Sequence, residues 1–198
     1  MSCEAEPGSL PHSAATVGID LGVKHLAITS DGELYDPPKF LRKAERQWRQ
    51  KQRAVSRKKK GSRRRRTAVR QLAQAHEHIA NQRKDYAHKV SRQIVNGYSL
   101  IAVENLNVQG MMKNHHLAKS IVDASWHQLV AYTTYKAAEA GRRVVLVDPK
   151  NTSQLCARWE TLVPKKLSKR IHRCDHCGYV QDRDINAAEN ILKRALAV

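Results

Sequence analysis

The sequence predicts an α/β fold, a mixed sheet flanked by helices, and three observations carry that prediction. Short apolar runs of strand length occur at the start, at Leu100 to Val103 and at Val144 to Val147. Segments with apolar residues spaced three and four apart separate them. The third observation is the order: clustered strands first, then strand and helix in alternation, the pattern of a sheet covered by helices.

The first strand is Thr16-Val17-Gly18-Ile19-Asp20-Leu21-Gly22, apolar up to an acid and then a glycine. Leu26-Ala27-Ile28-Thr29 follows and runs into Asp31-Gly32, so strands at 17–21, 25–29 and 33–36 form an antiparallel meander. Pro37-Pro38 ends it. From Phe40 to about 96 the pattern is helical, interrupted at Gly61-Ser62, which predicts two helices joined by a tip at 56–66. The second helix, 63–96, has one apolar face built from Leu72, Ile79, Tyr86, Val90 and Ile94. Leu100 to Glu104 is a buried strand ending in an acid, and 108–116 is expected to be a polar loop. One helix is expected over 117–140, closed by Gly141, before a strand that ends at Asp148-Pro149. A cysteine-bearing loop fills 151–181, and a last helix begins near Asp184, where an acid suits the helix dipole.

This is the element order of the ribonuclease H-like (RuvC) fold, with a basic helical hairpin inserted at 40–96 and a zinc-ribbon-like insert at 151–181. The expected organisation is a disordered leader over 1–15, a core over 16–150, the insert, and a final core segment over 182–198. In that topology the ends of the first and fourth strands are neighbours and the last helix starts across from them, so Asp20, Glu104 and Asp184 converge. Three carboxylates in one spot repel one another and are stable around cations. Two Mg²⁺ ions roughly 3.5–4 Å apart would suit them, one activating water and one stabilising a leaving 3′ oxygen. Taken singly the acids say less. Gly-x-Asp-Leu-Gly also opens sugar kinases and actin-like ATPases, but those need a second glycine-rich phosphate loop, and none occurs here. Glu104 alone could end a surface strand, and Asp184 alone could cap a helix. Of the rival acids, Asp182 lies one residue early for the helix start and Asp148 is expected to shape a turn.

Charge narrows the partner. The 198 residues hold 36 Lys+Arg against 18 Asp+Glu, a net charge of +18, which calls for a polyanion. Between Arg42 and Arg70 there are 15 Lys+Arg and a single acid, Glu45. Solvated faces mix signs, so this one-sided run reads as a phosphate-binding surface, with Arg57, Lys58, Lys59, Lys60, Arg63, Arg64, Arg65 and Arg66 at its tip. No apolar run approaches the ~20 residues of a membrane span, and no signal peptide is evident, so a cytoplasmic location is expected and no membrane partner.

Of four cysteines, three lie within 22 positions, a metal-ligand pattern of a reducing compartment. Cys174-x-x-Cys177-Gly178 is a zinc knuckle, and Cys156 lies 18 residues upstream of Cys174. The expected fourth cysteine, at 159, is Trp, and Glu160 stands where a knuckle glycine belongs. Zinc would then rest on Cys156, Cys174, Cys177 and a substitute such as His172 or His176; loss of the site is the alternative.

Several motifs, in order, resemble the TnpB (OrfB) proteins of insertion sequences, which are RNA-guided DNA nucleases akin to type V CRISPR effectors. They are Gly18-Ile19-Asp20-Leu21-Gly22, Ser56 to Ser62, Val103-Glu104-Asn105-Leu106, Ala124-Ser125-Trp126, Val147-Asp148-Pro149, Thr152-Ser153-Gln154-x-Cys156, Cys174-x-x-Cys177-Gly178 and Asp182-Arg183-Asp184-x-Asn186-Ala187-Ala188. The resemblance covers about 17–195. It implies a RuvC-like endonuclease core with a zinc ribbon, catalytic acids at Asp20, Glu104 and Asp184, and DNA and a guide-type RNA as partners. The family's N-terminal wedge and recognition half is expected to be missing. A metal-dependent endonuclease core is therefore one expectation, and a catalytically idle DNA- or RNA-binding remnant is the other.

Overall fold

A computed structural model describes residues 10, 14–166 and 168–197; the expected leader and Cys3 fall almost wholly outside them. β1 (Thr16–Asp20), β2 (Ala27–Thr29) and β3 (Leu34–Tyr35) form the antiparallel meander, β3 pairing with β2 and β2 with β1. β4 (Leu100–Glu104) lies parallel to β1, and β5 (Arg143–Val147) lies parallel to β4. The sheet order β3-β2-β1-β4-β5 is that of the ribonuclease H-like fold.

Side-chain size along the central strands decides what each face carries. Val17, Ile19, Ile101 and Val103 point to one face and pack with Val90, Ile94 and Val95 of α2 (Arg63–Gly97) and with Trp126 and Leu129 of α5 (Trp126–Glu139). The alternate residues Gly18 and Ala102 point to the other face, where α6 (Arg183–Leu196) lies with Ile191 and Ala195. Small residues there let a helix backbone come close. A β-carbon on Gly18 would sit 2.0 Å from the Ala188 carbonyl oxygen and 2.7 Å from the Leu192 amide.

The basic hairpin is α1 (Phe40–Ser56) against α2, as expected. Ser62 caps α2, its hydroxyl accepting from the Arg65 amide at 3.1 Å. Nearly all buried residues of α2 lie from Ile79 onward, so its first half stands off the body and packs along α1. There Trp48 donates to His76 Nε2 at 2.7 Å.

Two expectations are corrected. The polar loop at 108–116 instead contains α3 (Val108–Met112) and the start of α4 (His115–Ala124), because Asn107 and Asn114 cap them by accepting from the Gly110 and His116 amides. The single helix over 117–140 is broken at Ser125, which takes a left-handed φ of 53°. The break turns Trp126 inward, to 2% exposure, where its indole donates to the Gly22 carbonyl at 3.3 Å. Among the described residues no helix is long and apolar enough to cross a membrane.

Candidate functional site

Asp20 ends β1 and Glu104 ends β4; each follows the paired residues Ile19 and Val103 of the parallel ladder, so the two acids leave the sheet side by side. Asp184 is the second residue of α6, whose close seat over Gly18 brings its start to the same end of the sheet. Asp182 is the helix cap, its Oδ1 accepting from the Asp184 amide at 2.8 Å and from the Ile185 amide at 3.4 Å. The helix thus begins at Arg183, which accounts for Asp182 as a structural acid. Asp148 likewise turns the chain, accepting from the Lys150 amide at 3.0 Å.

Electrostatics tie the three acids together. Burial pushes the Asp20 carboxyl up to about 8, and the neighbouring charges of Glu104 and Asp184 add to the rise, against Arg183, which opposes it. Glu104 is buried, and desolvation raises its carboxyl above the usual range although the Thr152 hydroxyl donates to its Oε1. Asp184 is held by two guanidinium groups, Arg183 Nη2 at 2.7 Å and Arg170 Nη1 at 3.2 Å. The sequence singled out neither arginine, nor Thr152 as a partner of Glu104. Arg183 is the chain neighbour of Asp184 at the start of α6, whereas Arg170 and Thr152 reach their acids from 14 and 48 residues away.

Among the described residues the one set of three His, Cys, Asp or Glu ligand atoms all within 4.8 Å of one another is Cys156, Cys174 and Cys177. The carboxylates are therefore more widely spread than a single-ion cage. Two ions roughly 3.5–4 Å apart, each about 2.1 Å from its oxygens, tolerate oxygens up to roughly 8 Å apart. The acids fit such a pair by donor chemistry, being hard oxygen ligands of which Asp20 and Glu104 carry carboxyls raised by burial.

The cysteine module consists of two knuckles and a two-stranded ribbon, β6 (Ile171–Arg173) and β7 (Val180–Asp182). In the second knuckle the Gly178 amide donates to the Cys174 carbonyl at 2.9 Å and the Cys174 amide donates to the Tyr179 carbonyl at 2.9 Å. The first repeats this turn: the Glu160 amide donates to the Cys156 carbonyl at 2.8 Å and the Cys156 amide to the Thr161 carbonyl at 2.9 Å. Glu160 adopts φ 57° where Gly178 adopts 70°, so the turn survives without its glycine. Cys156 Sγ lies 3.7 Å from Cys177 Sγ, against the edge of about 3.8 Å of a tetrahedron with metal–sulfur bonds of about 2.3 Å. Amides of Cys177 and His176 donate toward Cys174 and hold its thiol below the usual range. The cluster can hold a thiophilic divalent ion. α6 anchors it: Asn186 accepts from the Ala157 amide and donates to the Leu155 carbonyl, and Asn190 donates to the Thr152 and Leu155 carbonyls.

The predicted phosphate-binding residues sit at the hairpin tip. Arg57, Lys59, Lys60, Arg63, Arg64 and Arg66 are exposed, and Lys58 and Arg65 are half-buried. Among the described residues none of the eight forms an ion pair. Arg63 to Arg66 also occupy the first turn of α2, where the helix dipole disfavours cations.

Comparison with known proteins gives these features a family. Residues 2–115 match the OrfB_IS605 family, described as "Probable transposase", and residues 126–191 match the Cas12f1-like TNB domain. A Streptomyces pristinaespiralis protein named "Putative RNA-guided DNA endonuclease" is 40% identical over 199 residues, covering 98% of this chain and 49% of the relative. The similarly named InsQ of Escherichia coli K12 is 34% identical over 212 residues, covering 98% of this chain and 53% of the relative. This chain thus spans about half the length of the curated relatives it matches. Among solved structures, that of a Cas12f1–sgRNA–target DNA complex superposes with a TM-score of 0.67 at 18% identity, over 94% of this chain and 52% of that one.

Proposed function

We propose, for a chain that belongs to the OrfB family of IS605-type transposon proteins, that it is a divalent-metal-dependent endonuclease core that binds nucleic acid through its α1–α2 hairpin. The observation that carries this reading is the meeting of Asp20 and Glu104, at the ends of adjacent parallel strands, with Asp184 from α6. Mg²⁺ bound there would supply an activated water and charge stabilisation of the leaving 3′ oxygen. Asp20, Glu104 and Asp184 would hold the metal through their carboxylate oxygens. The Thr152 hydroxyl fixes the Glu104 carboxylate, and Arg170 and Arg183 keep Asp184 in position. The half-exposed Arg170, paired with Asp184 at the rim of the groove beside α1 and α4, gives a phosphate a cationic entry to the acids. Relatives named as RNA-guided DNA endonucleases support DNA as the strand cut and RNA as a second partner. Zn²⁺ at Cys156, Cys174 and Cys177 would be structural, joining the two knuckles.

Incubating the purified chain with single-stranded DNA and Mg²⁺ tests the reading. Cutting that disappears in Asp20→Ala and in Glu104→Ala is the expected outcome, by at least 10²-fold for loss of a metal ligand, on the order of other severe site losses. Binding without any Mg²⁺-dependent cutting would leave the hairpin's role and remove the catalytic one. The eight unpaired tip cations favour such binding independently of the acids.

A further inference from the structure

We propose that a metal ion held by Cys156, Cys174 and Cys177 takes its fourth ligand from Nε2 of His172, giving a three-sulfur, one-nitrogen site. This rests on the zinc reading above and deepens it.

Structural zinc takes four ligands in a tetrahedron, and this module offers three sulfurs. The repeated knuckle turn identifies where a fourth thiolate would stand: position 159 matches Cys177. Trp159 has no ligand atom for a soft ion and is 64% exposed. The ligand has to come from elsewhere or from solvent.

Two histidines adjoin the cluster. His176 lies within the second knuckle and is exposed. His172 is fully buried, and its Nε2 has no hydrogen-bond partner. A buried ring nitrogen left unpaired is costly and calls for an explanation, an ion being one. His172 lies on β6 two residues before Cys174, and along extended chain that spacing sends both side chains to the same side. Both are buried, at 0% exposure. The other ring nitrogen, Nδ1, contacts Lys165 Nζ, and Lys165 in turn feels the charges of Cys156 and Cys174. Imidazole, lysine and thiols thus share one pocket.

The ring nitrogens are not within 4.8 Å of all three sulfurs, so loading turns the His172 side chain toward the ion and away from Lys165. Neutral imidazole then ligates through Nε2 with its proton on Nδ1. Lys165, released from the ring, offsets the net negative charge of an ion bound by three thiolates.

Reconstitution of the full chain with Zn²⁺ and with Co²⁺ tests this. The wild type should bind one ion per chain in the cysteine module. Its Co²⁺ form should show thiolate charge-transfer absorption and a hyperfine-shifted, solvent-exchangeable imidazole N–H proton by NMR, a readout that needs no variant. His172→Ala should lose that resonance and weaken zinc at least about 10-fold, the lower range for losing groups around a metal. His176→Ala should change neither. Trp159→Cys should restore a four-thiolate site, and in that background His172→Ala should no longer weaken zinc. Zinc binding without the imidazole resonance, or an equal loss from His172→Ala in both backgrounds, overturns the proposal and leaves the zinc reading intact. Absence of zinc binding by the wild type, or zinc binding unaffected by Cys174→Ser, overturns both.

Discussion

At the scale of single residues, Asp20 concentrates the cost of gathering acids. Burial first, and then Glu104 and Asp184, raise its carboxyl to about 8 from an ordinary 3.8. A carboxyl raised in the folded state binds more protons folded than unfolded between those two values, so stability falls as pH rises through that window. The metal-free protein should therefore lose denaturant resistance from about pH 4 to about pH 8, and Asp20→Asn should flatten that decline. Mg²⁺ should restore the lost stability at the upper end, since an ion favours the carboxylate. Urea melts at several pH values, with chelator and with Mg²⁺, check this; a wild-type profile unchanged by Asp20→Asn would contradict it. The same residue scale explains why Glu104 tolerates burial. Its Oε1 accepts from Thr152, a partner 48 residues away, and Thr152 is itself locked by Asn190 through its carbonyl.

At the scale of elements, the seat of α6 on β1 positions the third acid. Gly18 and Ala102 line that seat, and a β-carbon at 18 would meet backbone, which cannot swing aside. Gly18→Ala should destabilise by about 3 kcal/mol or more, the upper range for overpacking. It should also weaken Mg²⁺ binding, because Asp184 rides on the displaced helix. Gly97→Ala is the matched control: its added carbon meets nothing within 4 Å and its backbone is ordinary helix, so it should be neutral or slightly stabilising. Denaturation midpoints of the two variants decide the point. The hairpin makes the opposite compromise. Four arginines at the start of α2 work against the helix dipole, and Ser62 supplies the cap that offsets part of that cost. Replacing Arg63 to Arg66 with Gln should raise the thermal stability of the hairpin slightly. It should also reduce the salt dependence of nucleic-acid binding, by about 0.7–0.9 in log–log slope for each phosphate left without its cation. An unchanged slope would remove the tip from the binding surface.

At the scale of the whole molecule, the two proposed metal sites, of different chemistry, share one helix. The N-terminal turn of α6 carries Asp184 for hard oxygen coordination, and Asn186 and Asn190 farther along bind the backbone of the cysteine module. Movement of the module is thereby coupled to the acids, doubly so because two of its residues, Thr152 and Arg170, touch Glu104 and Asp184. Removing zinc should accordingly weaken Mg²⁺ binding at the acids as well as unfold the knuckles. Calorimetric titration of Mg²⁺ into zinc-loaded and zinc-free chain measures that coupling; equal affinities would show the two centres to be independent.

Residue order alone dictated the strands, the sheet order, the hairpin and the positions of the acids along the chain. Alternation, helical spacing and breakers such as Pro37-Pro38 and Gly61-Ser62 are local signals that act within a few residues. The helix over 117–140 shows the limit of that logic. Its spacing continues through Ser125, but burying Trp126 against Gly22 outweighs the strain of a left-handed residue, and only the packed core sets that balance. Trp159 and Glu160 read as a broken knuckle, yet the backbone turn persists because its hydrogen bonds need only main-chain groups. The partners of Glu104 and Asp184, the unpaired Nε2 of His172 and the close approach that forbids a side chain at position 18 were left to the packed molecule. Each depends on groups brought together from distant parts of the chain, and such meetings leave no periodic trace in sequence.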